Sequence, residues 1–240
     1  MTETQSNYVL DNDHARPSAA LHVDVIADLV CPFCFMGQRR LDEALQAVQG
    51  PNDVSWYPFQ LNPEIPAAGQ PFDEYLQRRF GSPENVEPVL QYLTAAGKDA
   101  GIEFRFDLLR HVPNTVQLHQ LLQLADMRGL NQSALADDLL SAFFESGRNI
   151  GDRDELIDIV AAHGLSADDV AAAADSDRLR QIVLSREAQA RGSGLVGVPG
   201  YLMNRRLLVV GAQSTDVMIK AFDQAMFGAG TDSLVSPALH

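Results

Sequence analysis

The pattern of apolar and polar positions in the first quarter of the chain predicts a strand, a helix and a second strand. Residues 21–27 alternate and then become apolar, as in a strand that enters a covered sheet. Apolar residues then recur at helical spacing until Gly50-Pro51, a usual helix stop. Residues 54–61 are rich in aromatic and β-prone side chains. We expect a right-handed βαβ unit with two parallel strands.

From residue 62 to about residue 191 most segments have helical periodicity. Asp152 and Ser166 each precede an acidic residue by three positions, which is typical of a capping box at a helix start. Residues 101–106 interrupt the pattern with strand-like alternation, and residues 110–115 are expected to form a loop. The pattern therefore predicts a helical block after the second strand.

The last part of the chain returns to a mixed pattern. A long helix is expected over about residues 177–191, followed by a glycine-rich loop that ends in Val-Pro. Residues 201–203 and 207–210 are short apolar runs joined by a turn, which predicts a hairpin. An amphipathic helix is expected over about residues 214–227.

These elements divide the chain into a discontinuous α/β domain and an insertion. We expect the α/β domain to comprise residues 21–62 and 177–228, and the helical insertion to comprise residues 63–176. Residues 1–20 and 229–240 are expected to be tails, the first of them disordered.

The two cysteines of the chain lie where the first strand gives way to the helix. The unpaired N–H groups and the positive end of a helix dipole stabilise an ionised sulfur there, so Cys31 is the predicted nucleophile and is expected to be exposed. Cys34 lies one turn inside the helix and is the predicted resolving thiol. Pro32 suits the first helical turn, and Phe33 completes the spacing. The pattern predicts a Cys-Pro-Phe-Cys redox pair.

Other uses of a cysteine pair are weaker predictions. Structural zinc needs four ligands, usually from two spaced pairs, and the six histidines are scattered with no second pair, so we expect no metal. Two inert buried cysteines are the other alternative. His111 and His119 are candidates for facing the site from the helical block, without a motif to support them.

Charge and hydropathy limit the partners and the location. A formal net charge of −14 argues against nucleic acid or an anionic membrane as partner. Residues 1–20 lack the features of a signal peptide, and the apolar runs are far shorter than the ~20 residues of a membrane span. We expect a cytoplasmic protein, in which such a cysteine pair is usually catalytic or redox-sensing.

The order of elements and five motifs resemble the DsbA-like oxidoreductases, above all their cytoplasmic FrnE-like branch. The motifs are Asp28-x-x-Cys31-Pro32-Phe33-Cys34-Phe35-x-Gly37, Pro58-Phe59-Gln60-Leu61-Asn62-Pro63, Pro113-Asn114-Thr115, Gly197-Val198-Pro199 and Gly211-Ala212-Gln213. The resemblance extends from residue 21 to about residue 227 and implies an α/β fold: the thioredoxin fold (βαβ…αββα) with a large all-helical insertion.

The resemblance also implies roles for single residues. Cys31 would be the nucleophile, Cys34 the resolving thiol and Pro199 a cis-proline, and the preceding Val198 would offer backbone hydrogen bonds to a thiol-bearing substrate. Asp28 would be a proton acceptor or an electrostatic modulator near the sulfurs, or only an acid that caps its loop.

The implied activity is thiol–disulfide oxidoreduction or isomerisation on disulfide-containing proteins or glutathione. It needs no cofactor beyond the Cys31–Cys34 disulfide, with glutathione as a candidate reductant or co-substrate. Periplasmic DsbA carries histidine where Phe33 stands. Because phenylalanine cannot donate a hydrogen bond to a thiolate, we expect a weaker oxidant than DsbA, whose potential is about −120 mV. The oligomeric state stays open, a homodimer included.

The same superfamily offers a different class of function. It includes 2-hydroxychromene-2-carboxylate isomerase and the kappa-class glutathione transferases, which typically use serine where Cys31 stands. The presence of both cysteines favours dithiol exchange. A glutathione-dependent isomerase or transferase is the alternative, and a redox-inactive scaffold is a third reading.

Overall fold

The computed structural model describes residues 21–195 and 197–228, so both expected tails lie outside the described residues. The elements in chain order are β1 (Leu21–Ala27), α1 (Pro32–Leu45), β2 (Asn52–Pro58), β3 (Gln70–Pro71), α2 (Phe72–Phe80), α3 (Pro83–Lys98), β4 (His111–Val112), α4 (Val116–Met127), α5 (Gln132–Phe144), α6 (Arg153–Ala161), α7 (Ala167–Asp175), α8 (Asp177–Gly192), β5 (Gly200–Met203), β6 (Leu207–Val210) and α9 (Thr215–Phe227). Within the described residues, no helix has the length and apolar character that a membrane crossing requires.

The main sheet has the strand order β2-β1-β5-β6. Strand β1 runs parallel to β2 and antiparallel to β5, and β5 pairs with β6 as a hairpin. The predicted βαβ unit, the hairpin and the final helix are therefore confirmed. The sheet places the carboxyl end of β1 beside the start of α1, where open α/β sheets carry their sites.

Strand β2 ends earlier than the predicted residues 54–61. The N–H groups of Gln60 and Leu61 donate to the side chains of Glu187 and Asp28 rather than to a neighbouring strand. Because Glu187 and Asp28 accept these two hydrogen bonds, residues 60 and 61 form a loop although their sequence favours a strand.

Successive side chains of β1 enter two different cores because strand side chains alternate between faces. Val25 belongs to the larger core, together with Phe35 of α1 and Phe222 of α9. Ile26 belongs to a smaller core, together with Ala190 of α8. Both faces of the sheet are covered by helices, as the apolar character of β1 predicted.

The predicted strand over residues 101–106 is wrong. Ile102 and Phe104 are buried and alternate with exposed positions, so the apolar alternation is real. The backbone has no strand as partner: the N–H of Ile102 donates to Gly97 O at the end of α3. The segment packs in extended form on helices.

The insertion is not entirely helical. Within residues 110–115, which were expected to form a loop, strand β4 pairs antiparallel with β3, bringing Val112 opposite Gln70. Strand β3 immediately precedes α2 in the chain, and β4 lies between α3 and α4. The predicted all-helical insertion therefore needs this one correction.

One of the two predicted capping boxes is present. Ser166 accepts from the Asp169 N–H, and the Asp169 side chain accepts in return from the Ser166 N–H. Asp152 accepts from the Glu155 N–H at the start of α6, but its own N–H donates to Asn149 O, so that cap is one-sided.

The insertion packs directly on α1. The ring of Phe35 stacks on Phe144 and meets Phe104 edge-on, with centroid distances of 6.1 Å in both cases. Arg39 lies over the Phe35 ring, 5.1 Å from its centroid, and its Nε is 2.9 Å from Asp137 Oδ1 of α5. Burial raises the pKa of Asp137 to about 6, because the loss of solvent outweighs the attraction of Arg39.

We expect Asp137 to make stability fall as pH rises. Its pKa is raised in the folded chain, to about 6, so its contribution is fully present below the unfolded value of about 3.9 and is lost as pH passes through the folded value. Relative to Asp137→Asn, the wild type should lose roughly 1–3 kcal/mol of unfolding free energy between about pH 4 and about pH 7. Urea unfolding of both proteins at several pH values measures this. Parallel stability curves would contradict it.

Gly37 of α1 is a point of close approach between the first helix and the C-terminal strands. A Cβ atom at this position would lie 2.0 Å from the Tyr201 hydroxyl and 3.0 Å from Pro199 Cγ. We expect Gly37→Ala to lower the free energy of unfolding by about 1–3 kcal/mol, as overpacking does in cores. Urea denaturation measures this change.

Gly192→Ala is the matched control for that substitution. A Cβ atom at Gly192 would meet no other atom within 4 Å. The change in its unfolding free energy should stay within about 1 kcal/mol. Equal destabilisation by both substitutions would contradict the close approach at Gly37.

Candidate active site

The two cysteines are placed by the start of α1. Cys31 is the N-cap residue with extended backbone, and its sulfur accepts from the Cys34 N–H at 3.3 Å. Pro32 occupies the first turn, as predicted. Both cysteines are free thiols. The side chain of the predicted nucleophile therefore caps the helix whose dipole can stabilise its ionised form.

The expectation that Cys31 is exposed is wrong for this structure. Cys31 is 2% exposed and Cys34 1%, whereas Phe33 between them is 41% exposed. Both cysteines belong to the main core, against which the half-buried side chains of Tyr75 and Val198 also pack. The insertion and the glycine-rich loop thus contribute to a cover that sequence periodicity did not reveal.

Cys34 is held in its protonated form. Burial is the largest cause that raises the pKa of its thiol well above the ordinary value, and the hydrogen bond and negative charge of Cys31 raise it further. The charge of Asp28 acts in the same direction, while a backbone hydrogen bond from Asp28 acts against it. A protonated inner thiol fits the predicted resolving role, which requires deprotonation only after the first sulfur has reacted.

Asp28 is fully buried and caps its loop, while its role as a proton acceptor or electrostatic modulator near the sulfurs stays a prediction. Its Oδ1 accepts from the Leu29 N–H at 2.9 Å and its Oδ2 from the Leu61 N–H at 2.7 Å, so it caps the loops after β1 and β2. Its charge also acts on Cys34. Of the two candidate histidines, His119 lies 3.3 Å from Asp28 through its Nε2.

His111 does not reach this group. It lies in β4, where its Nε2 is 2.9 Å from Ala68 O. The structure therefore separates two histidines that sequence could not distinguish: α4 brings His119 to Asp28 at the end of β1, whereas His111 lies in the small sheet.

The peptide bond between Val198 and Pro199 is cis, as the resemblance implied. Pro199 is buried and its carbonyl accepts from the Gly211 N–H at 2.7 Å, which ties this loop to the end of β6. The approach of its ring to Gly37 shows that the loop packs against α1. The structure thus brings the predicted substrate-binding loop to the helix that carries both cysteines.

Two tyrosines near the sulfurs were missed by sequence reasoning. The Tyr201 hydroxyl is buried without a hydrogen-bond partner among the described residues. Burial, followed by electrostatic interaction with the two nearby cysteines, raises its pKa well above the usual range. The pKa of Tyr75 in α2 is raised by burial, against a hydrogen bond with Asn62. Their positions in an apolar strand and an amphipathic helix carry no signal beyond packing.

Within the described ranges, no group of three or more histidine, cysteine, aspartate or glutamate side chains is placed to hold a metal ion.

Comparisons with known proteins match this geometry. The family model of the DSBA-like thioredoxin domain matches residues 22–223. A probable DsbA oxidoreductase from Streptomyces coelicolor is 30% identical, with a TM-score of 0.77 over 90% of this chain and 94% of that chain.

Two more distant structures share the fold. The cytosolic disulfide reductase DsbM from Pseudomonas aeruginosa, solved with GSH, is 18% identical, with a TM-score of 0.56 over 86% of this chain and 96% of that chain. A 2-hydroxychromene-2-carboxylate isomerase is 13% identical, with a TM-score of 0.63 over 85% of this chain and 95% of that chain.

The burial of Cys34 predicts slow alkylation. In a Cys31→Ser variant at neutral pH, iodoacetamide should modify Cys34 at least about tenfold more slowly than in the same variant unfolded in urea, because the thiolate is the reacting species. Raising the pH should narrow the difference between the alkylation rates of the folded and unfolded variant. The pH then approaches the raised pKa of the folded Cys34 thiol, so a larger fraction of it is ionised. Mass spectrometry over time measures the rates. Equal rates in folded and unfolded protein would contradict a buried, protonated Cys34.

Proposed function

Because this chain belongs to the family of DSBA-like thioredoxin domains, we propose that it is a thiol–disulfide oxidoreductase or isomerase acting through Cys31 and Cys34. The observation that carries the proposal is the pair of free thiols at the start of α1, with the sulfur of Cys31 as the helix cap. The helix start stabilises the ionised form of the capping sulfur of Cys31. The protonated thiol of Cys34 lies within one helical turn of it.

The reaction has two exchange steps. The Cys31 thiolate attacks one sulfur of a substrate disulfide, a Cys31–substrate bond forms, and the other substrate sulfur leaves as a thiolate. Cys34 then loses its proton and attacks Cys31, which releases the second substrate thiolate and leaves a Cys31–Cys34 disulfide. Two electrons pass to the substrate, and the reverse sequence oxidises a dithiol.

The residues around the two cysteines would bind the substrate and accept a proton. Val198 and Pro199 would hold the substrate segment beside α1, and the exposed Phe33 would contribute an apolar contact at the entrance. Asp28 would accept the proton of Cys34, because the charge of Asp28 contributes to the raised pKa of this thiol. The proposed reaction uses no cofactor beyond the Cys31–Cys34 disulfide.

The substrates would be disulfide-containing proteins or glutathione disulfide, and glutathione is the proposed reductant for the returning disulfide. The similar fold of a cytosolic disulfide reductase solved with GSH supports glutathione and a cytoplasmic location. The similar fold of 2-hydroxychromene-2-carboxylate isomerase keeps a glutathione-dependent isomerase or transferase as the alternative. Conjugation of glutathione to an aromatic electrophile at a rate that survives Cys34→Ser would favour that alternative.

Substitution of each cysteine tests the assigned roles. Cys34→Ser should stop turnover with Cys31 trapped in a mixed disulfide, because the releasing thiol is gone, and Cys31→Ser should form no mixed disulfide at all. Insulin reduction with glutathione measures turnover, and mass spectrometry under non-reducing conditions detects the trapped species. Normal turnover by either variant, or trapping by both alike, would refute the assignment.

A further inference from the structure

A buried histidine of the insertion faces the carboxylate beside Cys34. Nε2 of His119 lies 3.3 Å from Asp28 Oδ1, and the two side chains are 2% and 0% exposed. The two atoms are not aligned as a hydrogen bond, and Nε2 has no hydrogen-bond partner among the described residues. Because buried polar atoms are nearly always partnered, an unpartnered nitrogen aimed at a carboxylate indicates a functional arrangement.

Some charged groups on the elements packed against α4 have partners of their own. Arg186 of α8 donates to Gln123 Oε1, and Glu187 accepts from Gln60 and Arg191. Other titratable groups on these elements or near Asp28 include Cys31 and Cys34 of α1, Tyr57 of β2, Tyr75 of α2, Asp137 of α5, which meets Arg39, and Asp169 of α7, which meets Arg128. Further charged residues on the same elements are Asp53 of β2, Asp138 of α5, Asp168 and Asp175 of α7, and Asp177, Arg178 and Arg180 of α8.

We propose that His119 is a positioning residue that receives, through Asp28, the proton that Cys34 loses when it resolves the mixed disulfide. This inference rests on the proposed function. The proton passes from Cys34 Sγ to the Asp28 carboxylate and from there to His119 Nε2. The freed electron pair of Cys34 forms the bond to Cys31 Sγ, the bond from Cys31 to the substrate breaks, and the substrate leaves as a thiolate that takes a proton from water.

The geometry suits the end state of this transfer. An imidazolium at His119 would face a restored carboxylate at Asp28, and opposite charges attract strongly in a low-dielectric interior. A neutral His119 whose Nε2 carries no proton would account for the 3.3 Å separation from Asp28 Oδ1 without a hydrogen bond. The proton transfer would give Nε2 of His119 a hydrogen that it can donate to Asp28 Oδ1. It would occur when Cys34 must lose its proton.

The test uses His119→Gln, because glutamine retains a polar amide near Nε2 but cannot hold an additional proton. Reduced protein is mixed with one equivalent of dithiobis(nitrobenzoate), an aromatic disulfide whose thiolate product is coloured. One thiolate is released when Cys31 attacks, and a second when Cys34 resolves the mixed disulfide. Stopped-flow absorbance separates the two releases.

The first release by His119→Gln should keep its rate within about twofold, since His119 acts only through Asp28. The second should slow by about tenfold to a hundredfold, within the range of general acid–base effects. The pH profile of the second release should change as well, whereas a merely structural role of His119 would leave that profile unchanged.

His163→Gln is the matched control, because its Nε2 meets Asp138 Oδ2 at 2.7 Å on the surface of the insertion. Both of its releases should keep the wild-type rates. A second release by His119→Gln with the wild-type rate and pH profile would overturn the inference. A wild type that releases only one thiolate, or a Cys34→Ser variant that still releases two, would instead overturn the proposed function.

A measurement on the folded wild type covers the case in which His119→Gln does not fold. The imidazole nitrogen signals of His119 are recorded by NMR for the dithiol and disulfide forms, and again for Asp28→Asn. We expect the signals to shift between the two wild-type forms and the shift to disappear in Asp28→Asn. Identical wild-type signals in both forms would overturn the inference.

Discussion

The buried carboxylate of Asp28 is the constraint on which the rest of the site depends. One of its oxygens holds the chain as it leaves β1, and the other holds the loop that follows β2. A buried charge is costly unless its lone pairs are occupied, and here two backbone N–H groups occupy them. The same group then fixes the distance between the two parallel strand ends and sets an anion beside Cys34.

Burial creates an opposition between stability and reactivity at this site. In the proposed reaction Cys31 has to reach a substrate sulfur, yet its side chain is 2% exposed. Helix α2 has no buried residue among its nine, and glycines with left-handed φ values of 75° and 84°, Gly69 and Gly81, lie on either side of it. Segments with few buried contacts open at low free energy.

Sequence periodicity identified the elements whose local pattern agrees with their tertiary role. Strand β1, helix α1 and the β5–β6 hairpin follow from apolar alternation, a first-turn proline and a turn. The apolar alternation in residues 101–106 was equally clear, but it reflects packing of Ile102 and Phe104 on helices, which a local pattern cannot distinguish from a strand.

The residues of the site likewise include some that the sequence could predict and some that it could not. The positions of Cys31 and Cys34 at a helix start could be predicted because their motif has a fixed relation to the chain, whereas the cis bond before Pro199 was implied only by the family resemblance. The burial of Cys31 and the approach of His119 to Asp28 could not, because both depend on how the insertion folds back over the sheet. Contacts between residues that are far apart in sequence leave no trace in local spacing.

In the proposed reaction, the insertion would contribute chemistry as well as cover. The α/β domain supplies the capping sulfur, the helix dipole and the proline loop, which would act on the first exchange step at Cys31. The insertion supplies the imidazole that faces Asp28 and the aromatic rings that pack on α1 behind the cysteines. If Asp28 receives the proton of Cys34 as proposed, changes in the insertion would alter the release step while the attacking sulfur keeps its cap. Resolution and attack would then depend on different parts of the chain.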